Sequence, residues 1–393
     1  MVAARRTLIA PKGGALKDRP FHSLAADAIR AVLLDAGLEA KDIEGLILGN
    51  ALAAGGNPAR IAALAAGLPH VMPALSVDTQ CCSGIDAISI AVDRIRAGSA
   101  DVLLAGGAES SSQAPRRAKR LQGPEGELLR DSARIQFYEE AEFTPWPEQE
   151  PSMLQAAQSL SEQLADRPAE FGWVVESHRR ALVGSHPERI GGERDPFTRP
   201  LTEDACIRAA TRFAHSPATI APLADGAAVL LLVSESALVG HLRSREGERI
   251  NIPTGPLISE VLETCQIGAS PFGPGQAPAA LKSWLDELTE KHLAPARIEL
   301  MESFAAQVLT NIRDLELDES CVNINGGLLA MGHPVGASGA VLTARLHHGL
   351  VGNDWGVALI PAAGGIASGI ALARIPSDAL PGSLLQLIEH EGF

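Results

Sequence analysis

The sequence predicts an α/β fold built from two similar halves, with a polar segment inserted between them. Three observations lead to this prediction. In both halves, amphipathic helical patterns alternate with short apolar runs, as in folds whose helices cover a buried sheet. Each half also contains an apolar run that leads into paired glycines, at 101–107 and at 356–365. The segment 110–217 between the halves is more polar and contains a stretch rich in glutamate and proline.

The first half is predicted to open with a helix, a strand and a second helix. Apolar residues recur at helical spacing from Leu24 to Ala36, and Gly37 suits the end of that helix. The apolar run Ile43–Leu48 predicts a buried strand, and Pro58–Ala66 again has helical spacing.

The rest of the first half continues the same alternation. We expect a strand at Ala74–Thr79, a helix from Cys82 to Arg96 that ends at Gly98, and a strand at Asp101–Ala105. The run Asp225–Val233, the strongest apolar run of the chain, is predicted to close this half as a further strand.

The second half is predicted to repeat this order, and an internal duplication is the simplest explanation. Its expected helices are Ala279–His292, Phe304–Ile312 and Gly336–His348, and its expected strands are Arg297–Met301, Cys321–Asn325 and Val357–Ile360. The insertion is predicted to form a cap with helices at Met153–Asp166 and Pro168–Leu182. The predicted domains are therefore residues 1–109 with 218–251, the cap 110–217, and residues 252–393.

Composition and charge exclude several functional classes. The 393 residues are 46% hydrophobic and carry a formal net charge of −14, the wrong sign for a protein whose main partner is a nucleic acid. No apolar run approaches the roughly 20 residues that span a bilayer, and the N-terminus lacks the apolar stretch of a signal peptide. We therefore expect a soluble, cytoplasmic protein that binds neither nucleic acid nor membrane.

The five cysteines do not form a recognisable scaffold. They are few, scattered and odd in number, which argues against a disulfide framework. Neither a CxxC nor an HExxH sequence occurs, so no metal site is predicted.

Two residues are candidates for nucleophilic chemistry. Cys81 leaves a predicted strand and opens a predicted helix, where unpaired N–H groups and the helix dipole favour a thiolate. His333 lies in a glycine-rich turn that occupies the equivalent place in the second half, so the duplication should bring it near Cys81. The alternatives are a buried, unreactive cysteine and a solvated surface histidine.

Four sequence runs closely resemble the motifs of the thiolase family. Further landmarks, at Asn57–Arg60, Asp225–Ala228 and Phe272–Gly275, follow in the family's order, and the likeness covers essentially the whole chain. The four runs are Gln80-Cys-Cys-Ser-Gly84, Ala105-Gly-Gly-Ala-Glu-Ser110, Glu302-Ser-Phe-Ala-Ala-Gln307, and Asn323-Ile-Asn-Gly-Gly327 with Gly332-His-Pro-Val-Gly-Ala-Ser-Gly339.

The resemblance implies a layered α-β-α-β-α fold with a cap, and an acyltransferase that acts on acyl-CoA. By this likeness Cys81 is the nucleophile that accepts the acyl group, and His333 activates it. The backbone N–H groups of Cys81 and Gly365 would form an oxyanion hole. Coenzyme A thioesters would be substrates, with no permanently bound cofactor. The resemblance also implies a homodimer, with a tetramer as the alternative.

Three positions depart from the family pattern. Met301 stands where the family has an asparagine that holds a water in a second oxyanion hole, and Ala363 stands where it has the cysteine that removes the α-proton of the acceptor. Ala221 replaces a serine that often contacts the coenzyme. Three neighbours could replace the missing base, although a structural role is expected for the glutamate: Glu302, Ser303 and Ser368.

These departures leave three functions open. The first is an acetyl-CoA acetyltransferase-like enzyme whose carbon–carbon chemistry is impaired or altered. The second is acyl transfer to an already acidic carbon or to a heteroatom in a specialised biosynthetic pathway, for which no α-proton base is needed. The third is a non-catalytic protein that binds acyl-CoA.

A basic run in the predicted cap is a candidate for binding the phosphates of coenzyme A. The alternative is a solvated, charged surface, which is the more common role of such a run. The run comprises Arg116, Arg117, Lys119 and Arg120.

Overall fold

The structure is a computed structural model that describes residues 1–120, 135–138, 142–146, 152–212, 217–238, 257–272, 275 and 277–376. The predicted domain boundary between residues 251 and 252 lies outside these residues. The division into domains stays a prediction. Within the described part of the chain, no helix is both long and apolar enough to cross a bilayer.

Strands and helices alternate along the chain much as the hydrophobic pattern predicts. The strands are β1 (Ala3–Arg6), β2 (Ala10–Pro11), β3 (Gly45–Gly49), β4 (Ala74–Val77), β5 (Val102–Ser110), β6 (Arg117–Arg120), β7 (Ile135–Tyr138), β8 (Ala224–Val233), β9 (Ile258–Gly268), β10 (Arg297–Leu300), β11 (Trp355–Ala362) and β12 (Ile366–Ile375). The helices are α1 (Phe21–Asp35), α2 (Pro58–Ala66), α3 (Ser83–Arg96), α4 (Met153–Leu164), α5 (Arg167–Val183), α6 (Glu203–Arg212), α7 (Glu235–Leu238), α8 (Ala279–His292), α9 (Ala305–Asp314), α10 (Leu328–Met331) and α11 (Ser338–Gly349).

Each half of the chain contributes one main sheet. The first has the order β1-β8-β5-β3-β4, with β2 paired to β8, and the second has the order β10-β11-β12-β9. Strand β3 is parallel to both β4 and β5, and β10 is parallel to β11, whereas the remaining pairs within these sheets are antiparallel. Strands β6 and β7 form a separate hairpin in the predicted cap.

One hydrophobic core joins the two halves, and helices α3 and α11 lie within it. Ile85 and Ile88 of α3 pack in the same buried cluster as Val341 and Leu342 of α11. Strand residues from both sheets, including Leu103 and Ile360, belong to this cluster as well. The chain segments that lead into α3 and α11 are therefore held in place by the buried core.

The N-terminal ends of α3 and α11 touch backbone to backbone, because both carry glycine at the contact. A Cβ atom on Gly84 would lie 2.6 Å from the amide nitrogen of Ala340, and one on Gly339 would lie 2.6 Å from the amide nitrogen of Ile85. Both distances are too short for real atoms, so a side chain at either position would push the helices apart. Overpacking of this kind costs typically about 1–3 kcal/mol.

The predicted strand Cys321–Asn325 is wrong. The chain instead makes a 3₁₀ turn at Glu319–Cys321, followed by a left-handed residue, Asn323, with φ of 46°. The side chain of Asn323 takes the place of a strand partner, since its carboxamide accepts from the amide of Leu300 at 2.8 Å and donates to the carbonyl of Leu300 at 2.9 Å. Asparagine tolerates a positive φ and can bond backbone groups with its side chain. Asn323 thus supplies through its side chain hydrogen bonds that the predicted strand would have made through its backbone.

The predicted cap packs closely against the second half. Phe171 and Trp173 of α5 share a buried cluster with Leu281 and Leu285 of α8. This packing extends to strand β11 through Leu359. Helix α5 of the insertion therefore lies on the second half.

Candidate active site

Cys81 lies in a 3₁₀ turn, Gln80–Cys82, between β4 and α3. Gln80 has a φ of 56°, which is unfavourable for a residue with a side chain by about 1–2 kcal/mol. Ser83 stabilises this conformation, because its hydroxyl accepts from the amide of Thr79 at 3.0 Å and donates to the carbonyl of Gln80. The turn lies against β11, β12 and the turn that follows His333. It therefore presents Cys81 at the junction of the two halves.

His333 faces Cys81 from the second half. Its Nε2 lies 3.1 Å from Sγ of Cys81, and its Nδ1 lies 2.7 Å from the hydroxyl of Ser338. The backbone of His333 is fixed as well, since its amide donates to the carbonyl of Pro222 and its carbonyl accepts from the amide of Ala224. The structure thus brings together the two side chains that the duplication was expected to place side by side.

Both members of this pair are held neutral at neutral pH. Burial raises the pKa of the Cys81 thiol to about 12, and the negative charges of Glu109 and Asp78 act in the same direction. Burial lowers the pKa of His333 to about 4. Loss of solvation therefore opposes the thiolate that the N–H groups of the turn were expected to favour.

The hydrogen bonds around the pair suit a proton transfer from sulfur to nitrogen. A neutral imidazole can carry its proton on Nδ1 and donate it to Ser338, which leaves Nε2 as an acceptor. The thiol of Cys81 can then donate to Nε2. Such an arrangement allows the imidazole to take the thiol proton when the sulfur attacks an electrophile.

Glu109 connects the first half to the loop that carries His333. Its carboxylate, at the end of β5, accepts from the amide of Ala51 at 2.9 Å and from the side chain of Asn50 at 2.9 Å. It also accepts from the amides of Leu52 at 3.3 Å and Gly336 at 3.1 Å. Burial raises the pKa of this carboxyl group to about 7, although the backbone donors act against the shift.

The comparisons with known proteins identify the family. The thiolase N-terminal domain model matches residues 1–183, and the thiolase C-terminal domain model matches residues 258–374. The chain belongs to the thiolase family. It is 30% identical, over 95% of this chain and 98% of the relative, to a putative acetyl-CoA C-acetyltransferase, VraB, of Staphylococcus haemolyticus. It is 32% identical, over 95% and 97% of the two chains, to a putative acetyl-CoA C-acetyltransferase, YhfS, of Bacillus subtilis.

Solved structures agree with this assignment and show that the fold is that of thiolases. The Acat5 thiolase of Ascaris suum, crystallised in complex with coenzyme A, is 27% identical with a TM-score of 0.81. The similarity covers 95% of this chain and 99% of that one. The acetyl-CoA acetyltransferase of Bacillus anthracis is 28% identical with a TM-score of 0.77, and it covers 95% of this chain and 98% of its own.

The glycine turn expected to supply a thiolase oxyanion donor is Ala363–Gly365, between β11 and β12. Gly364 and Gly365 have φ values of 78° and 71°, in the left-handed region that favours glycine. The carbonyl of Gly365 accepts from the amide of Ala269, which fixes the turn against the loop after β9. That the amides of Cys81 and Gly365 bind an oxyanion stays a prediction.

Neither substituted thiolase position carries a group that exchanges protons. Met301 is fully buried and packs in the central core with Leu328 and Met331. Ala363 is also buried, with 6% of its surface exposed. The side chains at both positions are therefore apolar, and that they replace an asparagine and a cysteine of the family stays a prediction.

The neighbouring Glu302 has a structural environment. The fully buried Glu302 accepts from the indole of Trp173 at 3.1 Å, the hydroxyl of Ser177 at 2.9 Å, the carboxamide of Asn323 at 2.8 Å and the amide of Leu329 at 3.0 Å. Burial raises the pKa of this carboxyl group against the effect of these donors. Both of its oxygens are occupied by hydrogen bonds that connect the cap helix α5 to the second half.

The two serines that could replace the missing base differ, because Ser368 is hydrogen-bonded through its hydroxyl whereas Ser303 is held through its backbone. The hydroxyl of the fully buried Ser368 donates to Asp86 at 2.6 Å. The backbone of Ser303 accepts from the amide of Ala221 at 3.0 Å and donates to Gln307 at 3.1 Å. Ala221 itself is buried, and its proposed place near the coenzyme stays a prediction.

The predicted phosphate-binding run divides into residues with different contacts. Arg116 is exposed, whereas Arg117 donates to the carbonyl of Ala51. Lys119 pairs with Glu142 and lies over the ring of Tyr138, 5.5 Å from its centroid. The side chain of Arg120 lies outside the described part of the structure. Phosphate binding by this run stays a prediction.

The analysis of Glu109 predicts a stability effect that depends on pH. We expect Glu109→Gln to lower the free energy of unfolding, because N–H donors face both oxygens of the carboxyl group and the NH₂ of a carboxamide cannot accept from them. In the folded wild-type protein the pKa of this carboxyl group is about 7, whereas its ordinary value is 4.5. The free energy of unfolding of the wild type therefore falls as the pH rises from 4.5 to 7. The variant has no titrating group at this position. The difference in free energy of unfolding between wild type and variant should therefore shrink, by at most about 3 kcal/mol, as the pH rises.

Chemical denaturation of both proteins at several pH values between 4.5 and 7 measures this difference. A gap between wild type and variant that stays constant or widens as the pH rises would contradict the prediction.

Proposed function

We propose that this thiolase-family protein is an acyl-CoA acyltransferase that forms a covalent acyl-enzyme on Cys81. The observation that carries the proposal is the 3.1 Å contact between Sγ of Cys81 and Nε2 of His333 at the junction of the two halves. The acetyl-CoA acetyltransferases among its relatives support an acyl-CoA donor. The Ascaris suum neighbour, which binds coenzyme A, supports the same donor.

The first half-reaction requires only groups that this chain contains. Sγ of Cys81 attacks the thioester carbonyl, and its proton passes to Nε2 of His333. The carbonyl oxygen, now negatively charged, is held by the amides of Cys81 and Gly365. The carbon–sulfur bond to coenzyme A then breaks, and the leaving thiolate takes the proton from His333. Transfer of the proton during the attack avoids a separate buried thiolate, which the raised pKa of Cys81 disfavours.

The second half-reaction is where this chain departs from its family. A general base contributes typically about 10²–10⁴-fold, and one oxyanion donor about 10²–10³-fold. Ala363 stands at the position of the general base, and Met301 stands at the position of an oxyanion-hole asparagine. The carboxylate of Glu302 and the hydroxyl of Ser368, which could replace the base, are already hydrogen-bonded. We therefore propose that formation of a carbon nucleophile from an acetyl group is slow in this protein.

A second candidate function follows from the same substitutions. An acceptor that is already acidic at carbon, or that attacks through a heteroatom, needs no α-proton base, and it would suit a specialised biosynthetic step. A third candidate is a non-catalytic protein that binds acyl-CoA. The contact between the thiol of Cys81 and the imidazole of His333 favours the catalytic candidates. Binding of acyl-CoA alone does not need a thiol and an imidazole in contact with each other.

For assembly, we propose a homodimer, with a tetramer as the alternative. Strand β4 is the last strand in the order of its sheet, and Leu75 on it is exposed. Val71, just before β4, is also exposed, as are Ile61 and Leu64 on the neighbouring helix α2. Among the described residues β4 pairs on one side only, and such a strand edge beside apolar side chains is suited to pairing with a second copy. A native mass equal to that of one chain in sedimentation equilibrium would exclude this proposal.

Covalent labelling tests the proposed acyl-enzyme. Incubation with acyl-CoA is expected to add the mass of one acyl group to the wild-type protein, as measured by intact-mass spectrometry. Cys81→Ala should lose the adduct because it has no nucleophile, whereas Cys82→Ala, the matched control, should keep it. Sγ of Cys82 is fully buried and directed to the carbonyl of Ile360. If no acyl-CoA labels the wild type, the catalytic candidates fail and the binding candidate remains.

Restoring the family residue tests the proposed defect in carbon chemistry. With acetoacetyl-CoA and free coenzyme A, the wild type should show slow thiolysis, and Ala363→Cys should raise the rate by roughly 10²-fold or more because it supplies the acid/base. Ala363→Ser is the matched control, because its hydroxyl is too weak an acid to serve. Thiolysis by the wild type at rates that Ala363→Cys does not improve would refute the proposal.

A further inference from the structure

Asp86 is a buried residue whose carboxyl group connects the turn of Cys81 to the second half. It lies in the first turn of α3, and 4% of its surface is exposed. Its Oδ2 accepts from the hydroxyl of Thr79 at 2.5 Å and from the carboxamide of Gln266 on β9 at 2.7 Å. Its Oδ1 accepts from the hydroxyl of Ser368 on β12 at 2.6 Å. One side chain therefore bonds the segment before Cys81 and two strands of the second sheet.

A second contact joins this turn to the same sheet. Sγ of Cys82 donates to the carbonyl of Ile360 on β11 at 3.4 Å. Ile360 and Ser368 are direct partners across β11 and β12, and Ser368 is also the partner of Gln266 on β9. These three residues therefore form one row across the sheet, and this row holds the Cys81 turn.

The row lies close to the glycine turn that carries Gly365. That turn joins β11 to β12, and two residue pairs of the hairpin separate it from the pair Ile360 and Ser368. A shift of the Cys81 turn relative to the row would therefore change the distance between the amides of Cys81 and Gly365. In the proposed reaction these amides hold the thioester oxygen, and loss of one such donor costs typically about 10²–10³-fold in rate.

Asp86 and Glu109 connect the first half to different parts of the site. Glu109 bonds the amide of Gly336, in the loop that follows His333. Asp86 instead reaches the strand that follows Gly365. The first half is therefore fixed to the imidazole side of the site by one carboxyl group and to the glycine turn by the other.

We propose that Asp86 is a positioning residue for acyl transfer, which holds the Cys81 turn against β12 and so sets the distance between the amides of Cys81 and Gly365. It acts through Thr79 and Ser368 rather than by contact with the acyl group. The inference rests on the proposed function, because this distance affects the rate only if the thioester oxygen binds between the two amides.

Removal of one hydroxyl at either end of this connection tests the inference. Thr79→Val and Ser368→Ala each leave the Asp86 carboxyl group two partners, so both variants should fold. Each protein is mixed with acetyl-, butyryl- or octanoyl-CoA, whichever labels the wild type fastest, and labelling of Cys81 is followed by rapid quenching and intact-mass spectrometry. At saturating acyl-CoA each variant should label at least about tenfold more slowly, at an unchanged half-saturating concentration, because the amides act in the transition state.

Ser234→Ala is the matched control. The hydroxyl of Ser234 donates to Asp101 at 2.5 Å, so this variant also removes a hydrogen bond from a serine to an aspartate. Asp101 lies at the opposite end of β5 from Glu109, and the control should therefore label at the wild-type rate. Acylation needs no α-proton base, so slow labelling of Ser368→Ala cannot reflect the loss of a base.

The double variant of Thr79→Val and Ser368→Ala shows whether the two losses have one cause. Both residues act through Asp86, so either loss breaks the connection. The double variant should therefore label about as slowly as the slower single variant. Losses that multiply, to roughly a hundredfold or more, would show independent effects and overturn the inference.

The carbonyl stretch of the acyl-enzyme reports the hydrogen bonds from the amides. It is measured by infrared difference spectroscopy with acyl-CoA that carries ¹³C at the carbonyl. The frequency should be lower in the wild type and Ser234→Ala than in Thr79→Val and Ser368→Ala, because hydrogen bonds to the oxygen weaken the C=O bond. Equal frequencies in all four proteins would overturn the inference, even where labelling is slow.

Labelling of the wild type separates this inference from the proposed function. If the wild type is labelled and both single variants are labelled as fast, the inference fails and the acyltransferase stands. If none of the three acyl-CoAs labels the wild type, the proposed function fails and the inference fails with it.

Discussion

The direct backbone contact between the N-terminal ends of α3 and α11 is the constraint on which the rest of the site depends. Gly84 and Gly339 permit this contact, and the two helices carry the first half and the second half to a common point in the core. Cys81 precedes one helix and His333 precedes the other, so their separation is set by the helix contact rather than by flexible loops. Glu109 adds a second connection, because its carboxylate bonds the amide of Gly336 and the loop at Asn50–Leu52.

Burial sets the chemical state of the pair. The same packing that brings the thiol and imidazole to within hydrogen-bonding distance also removes the water that would stabilise their charged forms. In the proposed reaction the thiol keeps its proton until an electrophile arrives, and the proton then passes to Nε2 of His333 across the 3.1 Å contact. The hydroxyl of Ser338 holds the other ring nitrogen, so the imidazole is already oriented for that transfer.

Periodicity and motif reasoning predict most of the fold and the central pair. Helices Pro58–Ala66 and Ala279–His292 have the predicted bounds, because their apolar spacing is regular and their ends are marked by proline or followed by loop residues. The strand at Cys321–Asn325 fails because a short apolar run does not show that Asn323 bonds Leu300 with its side chain. The role of Glu109 was missed because a glutamate on a buried strand has a meaning only once its four donors are known. The protonation of Cys81 also depends on burial, which sequence position alone does not give.

The conformation of the turn at Ala363–Gly365 does not depend on which side chain residue 363 carries. Its conformation is set by the positive φ angles of Gly364 and Gly365, by the pairing of β11 with β12 and by the bond to Ala269, none of which involves the side chain of residue 363. A mutation at this one position can therefore exchange a reactive group for an inert one while the scaffold persists. Under the proposed function, a substitution at such a site can alter the second half-reaction while Cys81 and His333 stay in place.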